Sequence, residues 1–180
     1  MARELMLKHM CWEDWQMALM SNDCQGMTFM FEACHKNDPH IVPEKEGLYI
    51  LGYRINEWGS KVGHNISILQ GLALQFNCSV PAHFETTIGD LVQKTKDCKI
   101  EGYVFYTKDG TSAKLKSSHY LTLKWVARNP RTDKLMQDDF KNQIDEEYYG
   151  LLAHIRENIE SYTMLSEQDR LQFVRDFLSK

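Results

Sequence analysis

Cysteine is scarce and odd in number: five in 180 residues, at positions 11, 24, 34, 78 and 98, with no Cys-x-x-Cys pair. A disulfide framework calls for even counts in a secreted chain, and structural zinc for closely paired ligands, so neither is expected. The thiols read as reduced and mostly buried. Cys34-His35 with His40 offers the donor types of a metal cluster. We read them instead as loop residues flanking Pro39, because the histidines, seven in all, are dispersed. No apolar run approaches the ~20 residues needed to cross a bilayer. Met1-Ala2-Arg3-Glu4-Leu5 carries an acid and no uninterrupted apolar core, unlike a signal peptide. The expectation is a soluble, cytoplasmic chain without membrane partners. Repeats, low-complexity linkers and heptads are also missing.

An excess of positive charge is lacking too. The formal net charge is −4, so the chain as a whole is no general nucleic-acid binder. Its distribution is uneven. Between Lys94 and Lys124 seven lysines face three acids, a local +4, whereas residues 127–180 hold eight basic and eleven acidic residues, a local −3. A cationic segment within a mildly acidic protein steers a phosphate-bearing partner to one face. With 43% hydrophobic and 26% charged residues, the composition is that of an ordinary globular chain, long enough for one domain and a small appendage.

Along the chain, residues 3–20 are free of Gly and Pro and rich in Leu, Met and Trp, which predicts a helix. Thr28–Ala33 (T-F-M-F-E-A) and Leu48–Arg54 (L-Y-I-L-G-Y-R) read as strands, the second apolar on both faces and therefore central. Asn65–Phe76 sets Ile66, Leu69, Ala73 and Phe76 on one helical face. Thr87 with Asp90 caps a short helix to about Thr95. Ile100–Thr107 is β-branched and aromatic, Asp109-Gly110 suits a tight turn, and Ala113–Val126 alternates as a returning strand, together a β-hairpin. Asn129-Pro130 ends the sheet. Beyond it Leu151, Leu152, Ile155 and Ile159 form an apolar helical stripe, and Ser166 with Asp169 caps a last helix burying Leu171, Val174, Phe177 and Leu178. The one boundary drawn falls near residue 128, giving units 1–128 and 129–180.

Three places carry chemistry. Glu32 is an acid within an apolar strand. Glu101-Gly102 opens a strong strand. Lys114 and Lys116 share a face of the returning strand, since side chains alternate with period two. A carboxylate opposite two lysines makes a compact site for a polyphosphate and a divalent cation, with Glu101 supplying the hard oxygen that Mg²⁺ prefers. Gly102 would admit a nucleotide close to the backbone. The same residues also suit the solvated face of a sheet.

The stretch E-G-Y-V-F-Y-T-K-D-G-T-S-A-K-L-K-S-S-H-Y resembles the fourth and fifth motifs of the ATP-dependent RNA ligases of the T-even phage RNA ligase 1 type, members of the covalent nucleotidyltransferases. T-F-M-F-E-A, followed by P-H-I-V-P-E-K-E-G-L-Y-I-L-G-Y-R, is similar to their third motif and the strand after it. The likeness covers about residues 1–126 and, loosely, the tail. It implies an α+β fold: part of the ligase antiparallel sheet with flanking helices, then an all-helical C-terminal segment. By the resemblance, Glu32 binds the ribose of ATP, Leu48 stacks on adenine, Glu101 holds Mg²⁺, and Lys114 and Lys116 grip the α-phosphate during adenylyl transfer. Such ligases form a lysyl-AMP, pass the AMP to an RNA 5′-phosphate, and let an RNA 3′-hydroxyl displace it. The partners implied are RNA ends, tRNA among them, in RNA repair within the host cytoplasm of a bacteriophage. The helical tail is similar in class to the part linked to tRNA recognition, and from Thr132 onward it argues against the OB-fold that DNA ligases and capping enzymes usually append after the fifth motif.

One departure stands against these likenesses. The family's nucleophile lies in a Lys-x-Asp-Gly motif upstream of the third motif. Here Lys108-Asp109-Gly110 has the wrong spacing, and Lys36-Asn37-Asp38-Pro39 has Pro for Gly and follows Glu32. The sequence therefore reads as the C-terminal portion of a ligase that works with a complementary N-terminal fragment and forms no lysyl-AMP alone. The other reading is a catalytically inactive nucleotide- or RNA-binding module, or a remnant.

Overall fold

The chain is described by a computed structural model that covers residues 1–21, 24–35, 40–108, 111–128 and 132–179. The Lys36–Pro39 tetrapeptide, the Asp109-Gly110 turn and the Asn129-Pro130 break lie outside these residues. Among the described residues the architecture is mixed α and β, about half helical, with two small antiparallel sheets of two strands each. Two compact units divide at residues 85 and 86. Residue 128, where the sequence reading draws its boundary, closes a helix inside the second unit.

In the first unit, α1 (Ala2–His9) and α2 (Trp12–Met20) replace the single helix expected over 3–20. The chain extends at Met10, and Cys11 restarts the helix by accepting the Asp14 N–H on its sulfur. The Trp15 indole closes the corner by donating to the Met6 carbonyl at 3.1 Å. β1 (Met27–Cys34) pairs antiparallel with β2 (Gly47–Ile55), as expected for both strands. A register shift after Met30 bulges β2 at Leu51. Among the described residues, β1 is the one full strand that pairs with β2. The other neighbours of β2 are single bridges at Ser79 and Gly63.

α3 (Ile66–Gln75) starts at Asn65, whose side chain accepts the Ile68 N–H. It ends at Asn77, in the left-handed region (φ 46°) that asparagine tolerates. Leu69, Leu72, Ala73 and Phe76 join Leu5, Trp15, Leu48 and Ile50 in one core. Phe76 is its centre: Trp15 stacks on it at 5.3 Å, and Phe29 and Phe31 meet it edge-on at 5.0 and 5.5 Å.

The second unit begins with α4 (Ile88–Lys96), capped by Thr87 through the Asp90 N–H as expected. β3 (Gly102–Tyr106) and β4 (Ser112–Lys116) form the hairpin, closed beneath its turn by Thr107 N–H donating to the Thr111 carbonyl at 2.8 Å. The extended stretch expected to reach Val126 stops at Lys116, and Ser118–Arg128 is a helix, α5. Ser117 decides the switch. Its hydroxyl accepts the Tyr120 N–H at 3.0 Å, an N-cap contact, and donates to the Ile100 carbonyl at 2.6 Å. The apparent alternation of Tyr120, Leu121, Leu123 and Trp125 hides a helical face of Tyr120, Leu123, Val126 and Ala127, all buried, whereas Leu121 is exposed.

Among the described residues, the remainder is helical as expected: α6 (Thr132–Leu135), two short 3₁₀ turns at Asp138–Gln143 and Glu146–Tyr148, α7 (Tyr149–Glu157), α8 (Ile159–Met164) and α9 (Glu167–Leu178), the last capped by Ser166. Leu151, Leu152 and Ile155 are buried, and so are Leu171 and Val174 of α9. Leu178, expected inside, is exposed. α9 packs on α5. Tyr162 donates to the Val126 carbonyl at 3.0 Å, and Trp125 stacks on Phe140 at 4.2 Å. No helix among the described residues is long and apolar enough to cross a membrane.

Candidate functional site

The hairpin of the second unit assembles most of the residues singled out in the sequence. Its register sets Gly102 opposite Lys116 and Val104 opposite Lys114, so the two lysines share one face of the ladder. Lys114 is exposed, and the Lys116 side chain is about one-third exposed at 32%. Strict alternation would send Glu101 to the other face. Gly102 has φ of 137°, turning the backbone at that residue, and the Glu101 carboxylate ion-pairs with the Lys116 ammonium. A Cβ at 102 would lie 2.1 Å from the Leu115 carbonyl oxygen and 2.8 Å from the Lys116 Cα. The glycine thus has a local reason to be there: close approach of its own hairpin partner.

Ser117 fixes the other side of this arrangement. Its N–H donates to the Glu101 carbonyl at 3.1 Å and its hydroxyl to the Ile100 carbonyl, so the base of β3 and the start of α5 are tied together. The Lys116 ammonium also lies 4.8 Å from the Tyr120 ring centroid, and Lys124 approaches the same ring at 5.6 Å. The result is a cationic face with one carboxylate set into it. Such a donor set matches a phosphate chain with its divalent cation: ammonium groups neutralise phosphate oxygens and the carboxylate is a hard oxygen ligand. Glu101 already holds Lys116, so a metal ion on this carboxylate requires the ammonium to swing onto an anion.

Close to the hairpin in sequence, Lys99 ion-pairs with Glu147 and lies 5.6 Å from the Tyr148 ring centroid, while the Tyr148 hydroxyl meets His119 Nδ1 at 2.6 Å. Burial pushes the Tyr148 phenol up, helped by its hydrogen bond to Glu147. His119 is pushed down by burial, then by the Lys99 charge, against an opposing pull from Glu147. Sequence reading missed this pair, since nothing in the spacing of positions 119 and 148 marks it.

Glu32 and Leu48 belong to the first unit and lie on opposite faces of its sheet. Glu32 stands across from Tyr49 and is exposed, whereas Leu48 stands across from Ala33 and is 1% exposed, within the core. The face that carries Glu32 offers Tyr49 as its aromatic neighbour.

That same region of the first unit gathers a second polar group. Cys34 ends β1, and its thiol donates to Glu44 Oε2 at 3.1 Å. His40 Nδ1 is 3.6 Å from the same carboxylate oxygen. Ligand atoms of Cys34, His40 and Glu44 all lie within 4.8 Å of one another. Burial pushes the Cys34 thiol up to about 12, with the Glu44 hydrogen bond and the charges of Glu44 and Glu32 adding to it. His35, paired with Cys34 in the sequence reading, is not one of the three. The five thiols are free, with Cys24 and Cys34 buried, Cys78 and Cys98 half-buried and Cys11 exposed.

No protein-family model matches this chain, and neither the curated proteins nor the solved structures contain a match to it.

Proposed function

We propose that this chain supplies the metal- and phosphate-handling hairpin of an ATP-dependent RNA ligase, of the kind its motifs resemble. The observation that carries the reading is the contact of Glu101 with Lys116 across a Gly102 that only glycine can occupy, with Lys114 beside it on the same face. A carboxylate facing two cations suits a polyphosphate with its divalent cation, and the spacing of these residues resembles that of the ligase motifs. Cations placed beforehand stabilise charge that develops on phosphate, and a carboxylate orients the metal.

In this role Lys114 and Lys116 bind the phosphate nearest the transferred adenylyl group. With Lys116 turned to the phosphate, Glu101 would be the residue to hold a Mg²⁺ ion, which would supply Lewis-acid stabilisation of the phosphate charge. RNA 5′-phosphate and 3′-hydroxyl ends are the substrates, and the nucleophilic lysine is contributed by residues outside these 180. The nucleotidyltransferase fold belongs to the same proposal.

The test is a titration of the intact chain with ATP and Mg²⁺, read by backbone amide NMR and by retention of labelled adenylate after denaturation. Shifts confined to the hairpin, weakened at least tenfold by Lys114→Ala and by Lys116→Ala, are expected, with no covalent label. Shifts that ignore both substitutions, or none at millimolar nucleotide, sink the reading. Covalent labelling of this chain by itself removes the claim that the nucleophile lies elsewhere. Binding of 5′-phosphorylated RNA without ATP marks an RNA-holding module instead of a ligase component.

A further inference from the structure

The ligase reading makes no use of the group at the end of β1. From its geometry we infer that Cys34, His40 and Glu44 form a binding site for a divalent cation of the zinc class. This inference does not rest on the proposed ligase function.

The arrangement starts from the strand. Cys34 is the last residue of β1, paired with Gly47 at the first position of β2, so the segment between them leaves and re-enters the sheet at one place. His40 and Glu44 come from that returning segment, four residues apart, and both turn toward the Cys34 sulfur. The thiol is buried, and the His40 and Glu44 side chains are 25% and 32% exposed, which leaves a shielded site with one open side. Tetrahedral zinc with sulfur, nitrogen and oxygen donors sets its ligand atoms roughly 3.3–3.7 Å apart. Two separations here, 3.1 and 3.6 Å, already lie near that range, and no pair exceeds 4.8 Å.

The donor set decides the metal. One soft sulfur, one imidazole and one carboxylate favour Zn²⁺ over Mg²⁺ or Ca²⁺, which prefer oxygen alone. The charges balance: the cation displaces the thiol proton to solvent, and thiolate and carboxylate together neutralise it beside a neutral imidazole. Three protein donors leave the fourth tetrahedral position for water. Glu32, two residues before Cys34 and on the same face of β1, adds negative potential that favours cation entry.

Cobalt(II) is the probe, because a thiolate ligand gives it a charge-transfer band in the near ultraviolet and a tetrahedral site gives intense visible bands. Titration of the full chain should saturate at one equivalent, with Zn²⁺ displacing the colour. Cys34→Ser should abolish the charge-transfer band, and Glu44→Gln should weaken binding by roughly 100-fold, as loss of a direct ligand does at least as severely as loss of its supporting partners. Glu44 is exposed at its residue, so this variant folds even if a change at buried Cys34 does not; circular dichroism checks both. Cys11→Ser, which removes the exposed thiol near Glu13 and Asp14, should leave the band unchanged. The inference is overturned by a wild-type chain that shows no thiolate band. It is equally overturned by a band that survives Glu44→Gln and His40→Gln at unchanged affinity, or that follows Cys11.

Discussion

The two units build their polar groups in different ways. In the second, Gly102, Lys114 and Lys116 sit on one regular ladder whose register puts both lysines on one face, and Glu101, one residue before the ladder, reaches Lys116 through the turn of the backbone at Gly102. In the first, Cys34 stands at a strand end and His40 and Glu44 arrive on the connecting segment, where no register operates. A ladder has period two and can be read from spacing, whereas a loop has no period. The lesson is that a site on a strand announces itself in the sequence and a site on a connection does so only through its residue types.

Substitutions in each unit break or sharpen this contrast. The largest effect is expected in the first unit, whose sheet is backed by the aromatic cluster around Phe76. Phe76→Ala removes the ring on which Trp15, Phe29 and Phe31 converge and should cost about 3–5 kcal/mol, seen as a lower urea midpoint. A loss below about 1 kcal/mol means that the cluster is not the centre of the core.

In the second unit the backbone at Gly102 is the point to press. Gly102→Ala forces a methyl group against the Leu115 carbonyl at a φ that alanine resists, and should destabilise the unit by about 3 kcal/mol. Amide exchange of β3 and β4 reports it; unchanged protection there rejects the account of Gly102. Ser117→Ala removes the N-cap of α5 together with its tie to Ile100, a loss of about 1–2 kcal/mol. Thermal melts should place it between Gly102→Ala and the ion-pair variants, and recovery with Thr, which keeps a hydroxyl that can both accept and donate, checks that these contacts are responsible.

Glu101→Gln is the small one. Both partners are about one-third exposed, so solvent screening holds the loss of the pair to about 0.5–1 kcal/mol, smaller still in high salt. A larger loss indicates that the pair supports the hairpin rather than waiting for a ligand, which separates structural from binding roles on this face.

The least effect is expected from pH at His119. Its folded-state pKa is depressed, chiefly by burial, so the folded chain holds the neutral imidazole more firmly than the unfolded chain does. That contribution to stability is fully present above the ordinary histidine value near 6.5 and fades as pH falls through the lower folded value. Melting temperature should therefore drop between pH 7.5 and 5, less steeply in His119→Asn. An identical slope in both proteins assigns the acid sensitivity to other groups.

Much of the fold was legible. The strands at 28–33 and 48–54, the helix after Asn65, the Thr87 cap and the Ser166 cap all lie where pattern and capping chemistry put them. The failures have local causes. Residues 113–126 satisfy period two and period 3.6 at once, and the choice fell to the Ser117 hydroxyl, which needs the Ile100 carbonyl, two residues before β3, to lock it. The break at Met10 and Cys11 depended on a thiol acting as helix cap and an indole reaching Met6. Leu48, apolar within an apolar strand, could face either side, and only its position across from Ala33 turns it to the core.

By itself the sequence determined the residues that share a strand face, the helices with chemical caps, and the order of acid, glycine and lysines along the hairpin, because each depends on neighbours a few positions away. Tertiary structure alone decided that Glu101 crosses to Lys116 at the φ of Gly102, that Ser117 ends the strand, and that Glu44 joins Cys34 and His40. Those outcomes depend on which backbone atoms approach from distant parts of the chain, and local periodicity carries no information about such approaches.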